Sequence, residues 1–476
     1  MQRNITKKLL AILVVLMLVF TFTVSACDEA DKFVNPSMPA AGAVAGNGGP
    51  VVTYGEYLYY VNGYAASATE QNGYNAEQPV KNGDIVRIKI ADFKAVLALN
   101  DDEQIASEDL ASEVAKMVYA KAEVVVPYFY YSGNTTTKSV NGLYIFGERL
   151  YFTTPNTDLS TNGNIKNNEL CIYSCKLDGT DMKKLHTVAS TTAVIMLTQV
   201  ESAVYATYVA NATLYSVKLG EKAVEIAKEI TSEKFTNNAV FFLDKDGSVC
   251  TYVAGSAKHE VLVATDEDKT LTYTINSANG DYVYFTMKDS TNTQLHKGIY
   301  AVKSGMSQAK EILAYLPPDS YLCYGESVVM TSVIESSNIT VVELYITSSD
   351  IINDPAIEGD RLFIRPQATN DKTITLVKVV GNNLQYMIDG KTYVVDLTNI
   401  DLDAEVKEIY TSISSSDWAD VDAVEVEGAT YYFSFNSSNQ IVCNQYKEVD
   451  DEMKLVTTNF TVVVPQEDES VEEEQE

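Results

Sequence analysis

The chain has 476 residues, with 65 acidic against 35 basic side chains and a formal charge of −30. A surface that acidic repels phosphate backbones and anionic headgroups, which argues against a nucleic-acid partner. With three His and one Trp, it is also poor in the groups that histidine catalysis or Trp-lined cofactor sites need.

Arg3, Lys7 and Lys8 precede an apolar run whose strongest part, Leu9 to Phe20, has 12 residues. A spanning helix needs roughly 20, so the predicted element is a secretory signal. Val24-Ser25-Ala26-Cys27 resembles the lipobox of bacterial lipoproteins, with Val24 where Leu is commoner. The resemblance implies a signal peptide over residues 1–26, cleavage before Cys27, and lipid (palmitate-type acyl chains) on Cys27. Cleavage removes three positive charges and takes the net charge from −30 to −33. Residues 27–50 turn from polar to small (Ala40-Ala41-Gly42-Ala43, Gly46-Asn47-Gly48-Gly49-Pro50) without periodicity, and are predicted to be a flexible tether.

Residues 51–464 read as short alternating strands stopped by Gly, Asn, Asp or Ser, the mark of an all-β body. One phrase recurs: Gly, an acidic residue, a variable residue, then three apolar ones. It stands at Gly55-Glu56-Tyr57-Leu58-Tyr59-Tyr60, Gly147-Glu148-Arg149-Leu150-Tyr151-Phe152 and Gly280-Asp281-Tyr282-Val283-Tyr284-Phe285. Further copies begin at Gly325 and Gly359, with a looser one at Gly428 and weaker ones centred on Val204-Tyr205 and Val240-Phe241-Phe242. Several are about 35 to 55 residues apart, the period of four-stranded propeller blades. The frame predicts a β-propeller of eight blades, or seven, with the seventh opened by Gly359 or by Gly381-Asn382-Asn383-Leu384. An array of two-sheet sandwiches is the plain alternative.

Within the second blade, the stretch Cys171-Ile172-Tyr173-Ser174-Cys175-Lys176-Leu177-Asp178-Gly179-Thr180-Asp181-Met182-Lys183-Lys184-Leu185 resembles the IY-x-x-x-LDGT-x-x-x-KL phrase of bacterial propellers related to the low-density-lipoprotein-receptor type. That resemblance implies the same fold and an extracytoplasmic location. Physically, Asp178-Gly179 is a hairpin turn.

An insertion at about 91–140 separates the first two blades. Ile105, Leu110, Val114 and Val118 predict a helix from Ile105 to Lys121, opened by Ser107-Glu108-Asp109-Leu110. Insertions of this kind line binding faces, which makes the adjoining Tyr128, Phe129, Tyr130 and Tyr131 the ligand-binding candidates. Tyr57, Tyr59 and Tyr60 are assigned to packing. Residues 465–476 form an acidic tail expected to be disordered.

No catalytic residue stands out. Gly-x-Ser-x-Gly and phosphate-cradling loops are absent, and His186, His259 and His296 read as exposed groups at strand ends or turns. Cys171 and Cys175, four apart in a strand, lie about 13 Å from each other, beyond disulfide reach. The paired short spacings of a zinc site are missing, so the cysteines are read as buried thiols. No cofactor is expected. Calcium at Asp244 and Asp246 is the one weak candidate, although Asp-x-Asp-Gly is ordinarily a turn.

The expectation is a non-enzymatic, monomeric lipoprotein at the outer face of the cell membrane. It would bind a protein, peptide or glycan of the envelope. A carbohydrate-active enzyme using face carboxylates and a structural envelope-assembly factor are the alternatives.

Overall fold

A computed structural model describes residues 36–63, 79–127, 142–155, 169–190, 192–237, 239–266, 270–291, 298–314, 320–336, 339–347, 362–369, 374–380, 382–388, 391–397, 407–411, 422–449 and 452–464. Eight antiparallel sheets follow one another along these residues, one of five strands and seven of four. In each sheet, strands adjacent in sequence are adjacent in space, so every sheet is a meander.

The recurring phrase is the hairpin between the first and second strands of a four-stranded sheet, and between the second and third of the five-stranded one. Val51–Tyr54 turns at Gly55-Glu56 into Tyr57–Val61. Equivalent turns join Tyr144–Phe146 to Arg149–Pro155 and Leu271–Asn279 to Tyr282–Asp289. Gly55, Gly147, Gly280 and Gly325 take φ between +55° and +60° there, a conformation that costs glycine nothing. The rival frames separate cleanly. Leu362–Thr369, just after Gly359, is the fourth strand of the sixth sheet, whereas Ile374–Val380 and Asn383–Ile388 flank the hairpin that opens the seventh.

The chain divides into two compact units. One holds residues 1–191, 422–444 and 457–476, hence the first two sheets and most of the eighth. A core cluster in it contains Tyr59, Tyr60, Phe93, Leu150, Leu177, Phe433 and Phe460. Asn62, fully buried, closes this unit: its amide donates to the Val462 carbonyl at 3.0 Å and accepts from the Val462 N–H at 2.7 Å. A residue from the first sheet thus pairs with one 400 positions later. Asn62→Leu leaves two buried backbone groups unpaired and is expected to cost about 2–4 kcal/mol, read as a lower denaturant midpoint; an unchanged midpoint would contradict this role.

The other unit, residues 192–421 and 445–456, carries the third to seventh sheets. Here the period of two sends alternate residues to opposite neighbours. In the fourth sheet, Val240, Phe242, Cys250 and Tyr252 pack with Met196 and Leu214 of the third. Ala239, Phe241, Leu243 and Val249 pack with Tyr273, Val283 and Phe285 of the fifth. Tyr284 and Ile299 then meet Val328 and Met330 of the sixth, and Val329 joins the cluster of the seventh. Both faces of these sheets are therefore apolar.

Two expectations need correction. The tether assigned to residues 27–50 is not free over its described part. Val44–Ala45 is a strand paired with Val51–Tyr54, Pro50 is buried, the Gly48 N–H donates to the Leu143 carbonyl and the Leu143 N–H donates to the Gly49 carbonyl. Small residues there serve close backbone approach: a Cβ on Gly42 would lie 2.1 Å from Gly55 Cα. The insertion also differs from the predicted single helix. Helix α1, Ile90–Ala98, runs directly on from the strand Ile85–Lys89, and helix α2 covers Leu110–Lys121 only. The chain then returns as Glu123–Val126, the fifth strand of the first sheet. Both helices are thus an excursion within that sheet.

Candidate functional site

The helical excursion creates a cavity in the first unit. Helix α1 buries Ile90, Phe93, Val96 and Leu97, on one face. Phe93 lies 4.9 Å from Phe460, ring centre to ring centre, and 5.1 Å from Tyr431. Helix α2 buries Val114 and Val118, one turn apart, and Lys121 pairs with Asp92 of α1 at 3.2 Å. Between α2 and residues 457–461 lies a cavity of about 230 Å³. Asn100, Ser107, Thr457 and Thr461 supply its polar wall, and Leu110 and Val114 its apolar one.

The polar wall is held by hydrogen bonds. Asn100 Nδ2 donates to the Leu97 carbonyl and to Thr458 Oγ1, both at 2.9 Å. Thr461 Oγ1 accepts from the Ile441 N–H at 2.8 Å, and Thr457 Oγ1 donates to Asn444 Oδ1 at 3.0 Å. No charged side chain lines the cavity among the described residues. Its volume is below the roughly 300–1,000 Å³ that encloses a drug-sized ligand, so it takes one ring-sized group.

Elsewhere in the first unit, a buried cation fixes the start of the body. Arg87, 0% exposed, donates from Nε to Glu123 Oε2 at 2.7 Å and from Nη2 to the Ser37 carbonyl at 2.7 Å. Nη1 reaches Tyr59 Oη and the Leu177 carbonyl, each at 3.2 Å, and the guanidinium sits 4.2 Å from the Tyr57 ring centre. Tyr57, Tyr59 and Tyr60 are all buried, in line with their assignment to packing. Burial pushes the Tyr59 phenol up to about 12. A phenol with a higher pKa folded than unfolded stabilises the fold fully below pH 10 and loses that contribution as pH rises toward 12. Alkaline titration is therefore expected to show tyrosines that ionise only as the fold melts; complete ionisation of a still-folded chain would contradict it.

Cys27, Tyr128, Phe129, Tyr130, Tyr131, His296 and the 465–476 tail lie outside the described residues. Asp244 and Asp246 sit in the hairpin turn of the fourth sheet. Asp244 Oδ1 accepts the N–H groups of Asp246 and Ser248 at 2.9 Å, while Asp246 pairs with Lys245 at 2.7 Å. His186 and His259 are half-buried rather than exposed. Burial lowers the His186 pKa, and His259 stands edge-on to Phe242 at 5.6 Å. Cys171, Cys175, Cys250, Cys323 and Cys443 are buried thiols, as the spacing implied. Burial raises Cys175 and Cys323 to about 12, so neither should be alkylated in the native chain at mildly alkaline pH, and both should be after unfolding.

The sequence singled out Ser107, Leu110 and Val114 as a helix start and its apolar face, but not as cavity lining. Asn100 and the 457–461 segment carry no motif; only the folded return of the C-terminal strands brings residues 457–461 to α2.

No protein-family model and no curated protein matches the chain. Among solved structures it is similar to Kluyveromyces lactis Hsv2p, with 9% identity, a TM-score of 0.30, and 64% of this chain and 96% of that chain covered. The complex of KlAtg21 with the coiled-coil of AgAtg16 gives 9% identity and a TM-score of 0.35, covering 66% and 96%. The N-terminal domain of Nup159 gives 12% identity and a TM-score of 0.28, covering 75% and 97%. Likeness this loose bears on neither mechanism nor ligand.

Proposed function

We propose that the protein is a lipid-anchored extracytoplasmic binding module: an eight-bladed propeller, tied to the membrane through Cys27, that holds a neutral sugar unit of an envelope glycan beside α2. The observation that carries this reading is the uncharged cavity. Hydroxyl and amide groups on one wall and Leu110 and Val114 on the other match a sugar, which presents hydroxyls beside C–H faces. A charged ligand would find no counter-ion among the described lining residues.

The serial packing of the third to seventh sheets, each on its neighbours in sequence, supports the blade arrangement. The order of Arg87 with Ser37 supports a short leash. Only residues 28–35 separate Cys27 from Pro36, a span of at most roughly 32 Å fully extended. The body then works close to the membrane surface.

Ala111, exposed at the cavity rim, provides the test. Calorimetry on the full-length protein with neutral mono- and oligosaccharides is expected to give binding that Ala111→Trp abolishes while leaving thermal stability unchanged. Equal binding by the variant, or binding confined to charged saccharides, would overturn the assignment. Loss of acyl labelling in Cys27→Ala tests the anchor separately.

A further inference from the structure

The fourth sheet gathers three metal-ligating side chains that the cavity does not use. Asp244 closes the turn after Ala239–Leu243, Cys250 lies in Val249–Val253, and His259 precedes Glu260–Val263. One ligand atom from each lies within 4.8 Å of the other two. We propose that Asp244, Cys250 and His259 form a three-ligand site for a zinc-class divalent ion.

The Asp244–Cys250 side of the geometry fits that ion. A tetrahedral zinc at ~2.3 Å from sulfur and ~2.0 Å from oxygen places these atoms about 3.5 Å apart. Cys250 Sγ and Asp244 Oδ2 are 3.7 Å apart, so the ion needs almost no rearrangement on that side.

The outer atoms of two ligands are already anchored by backbone. Asp244 Oδ1 is occupied by the Asp246 and Ser248 N–H groups, which leaves Oδ2 turned toward Cys250. His259 Nδ1 is 3.2 Å from the Ile226 carbonyl. A carbonyl only accepts, so Nδ1 carries a hydrogen there and Nε2 is the ring atom left for a metal. Holding each ligand by its second atom is the usual support of a metal site.

Charge points the same way. A divalent cation with one thiolate and one carboxylate is neutral, which suits a site walled by Val240 and Phe242. Binding expels the Cys250 thiol proton to solvent and involves no change of oxidation state. Three protein ligands leave a fourth position for water or a ligand atom, the pattern of zinc sites that are more than structural.

Cobalt(II) is the probe. Full-length protein in detergent, stripped with chelator and titrated with Co²⁺, is expected to take up one ion per chain. The expected signature is a thiolate-to-metal charge-transfer band and tetrahedral visible bands, both lost on adding Zn²⁺. Cys250→Ser should remove the charge-transfer band, and His259→Gln and Asp244→Asn should each weaken binding at least ~10-fold. Asp244→Asn keeps the Oδ1 that accepts from the Asp246 and Ser248 N–H groups, so its circular dichroism should be unchanged. No charge-transfer band, a band that survives in Cys250→Ser, or undiminished affinity in His259→Gln would overturn the proposal.

Discussion

Arg87→Met is expected to cost about 2–4 kcal/mol, since it strips one charged donor from a partly exposed carboxylate, a phenol and two carbonyls at once. The guanidinium joins four groups that sequence keeps apart: Glu123 after the helices, Tyr59 in the first sheet, Leu177 in the second, and Ser37 at the start of the described chain. Without it, the Glu123 carboxylate loses its partner and two carbonyls lose a donor. Lysine is no substitute, since one ammonium cannot reproduce a planar fork that serves four acceptors. Chemical denaturation should show a lower midpoint, and limited proteolysis should cut sooner near Ser37. A loss under about 1 kcal/mol would mean that the pair contributes no more than a surface ion pair.

The second large effect belongs to Gly179. Gly179→Ala is expected to exceed the ~1–2 kcal/mol that a left-handed backbone costs an L-residue, because geometry and space act together. Gly179 has φ +80°, and a Cβ there would lie 2.0 Å from the Val125 carbonyl oxygen. The turn is otherwise well made: Asp178 Oδ1 accepts from the Thr180 N–H at 2.9 Å and from its hydroxyl at 2.6 Å. The loss should therefore report the contact with Val125 rather than a broken turn. Asp178→Asn, which keeps the acceptor oxygen, should cost far less; equal losses in the two variants would place the effect in the turn itself.

Gly179 also shows where sequence stops being informative. The Leu-Asp-Gly-Thr phrase marks a hairpin, because turn chemistry is local. That the hairpin docks on Val125, with Leu177 offering its carbonyl to Tyr59 and Arg87, depends on partners about 54 to 118 positions away. The repeated Gly-acidic frame was legible for the same local reason, since the copies at Gly55, Gly147, Gly280, Gly325 and Gly428 each encode one turn and the strand after it.

Helix α1 was not legible. No side chain caps its start at Lys89, and a strand runs into it without a break. The ordering of residues 36–50 was hidden too, because small residues that serve close backbone approach look like those of a linker. Asp244, Cys250 and His259 have no metal-motif spacing, and only the pairing of strands brings them together.

Hydrogen exchange on the full-length protein, with and without a saturating neutral saccharide, tests the ligand site most directly. Added protection is expected in Leu110–Lys121 and residues 457–461, and should vanish in Ala111→Trp. Protection confined to residues 195–228, or unchanged in the variant, would contradict a ligand site beside α2.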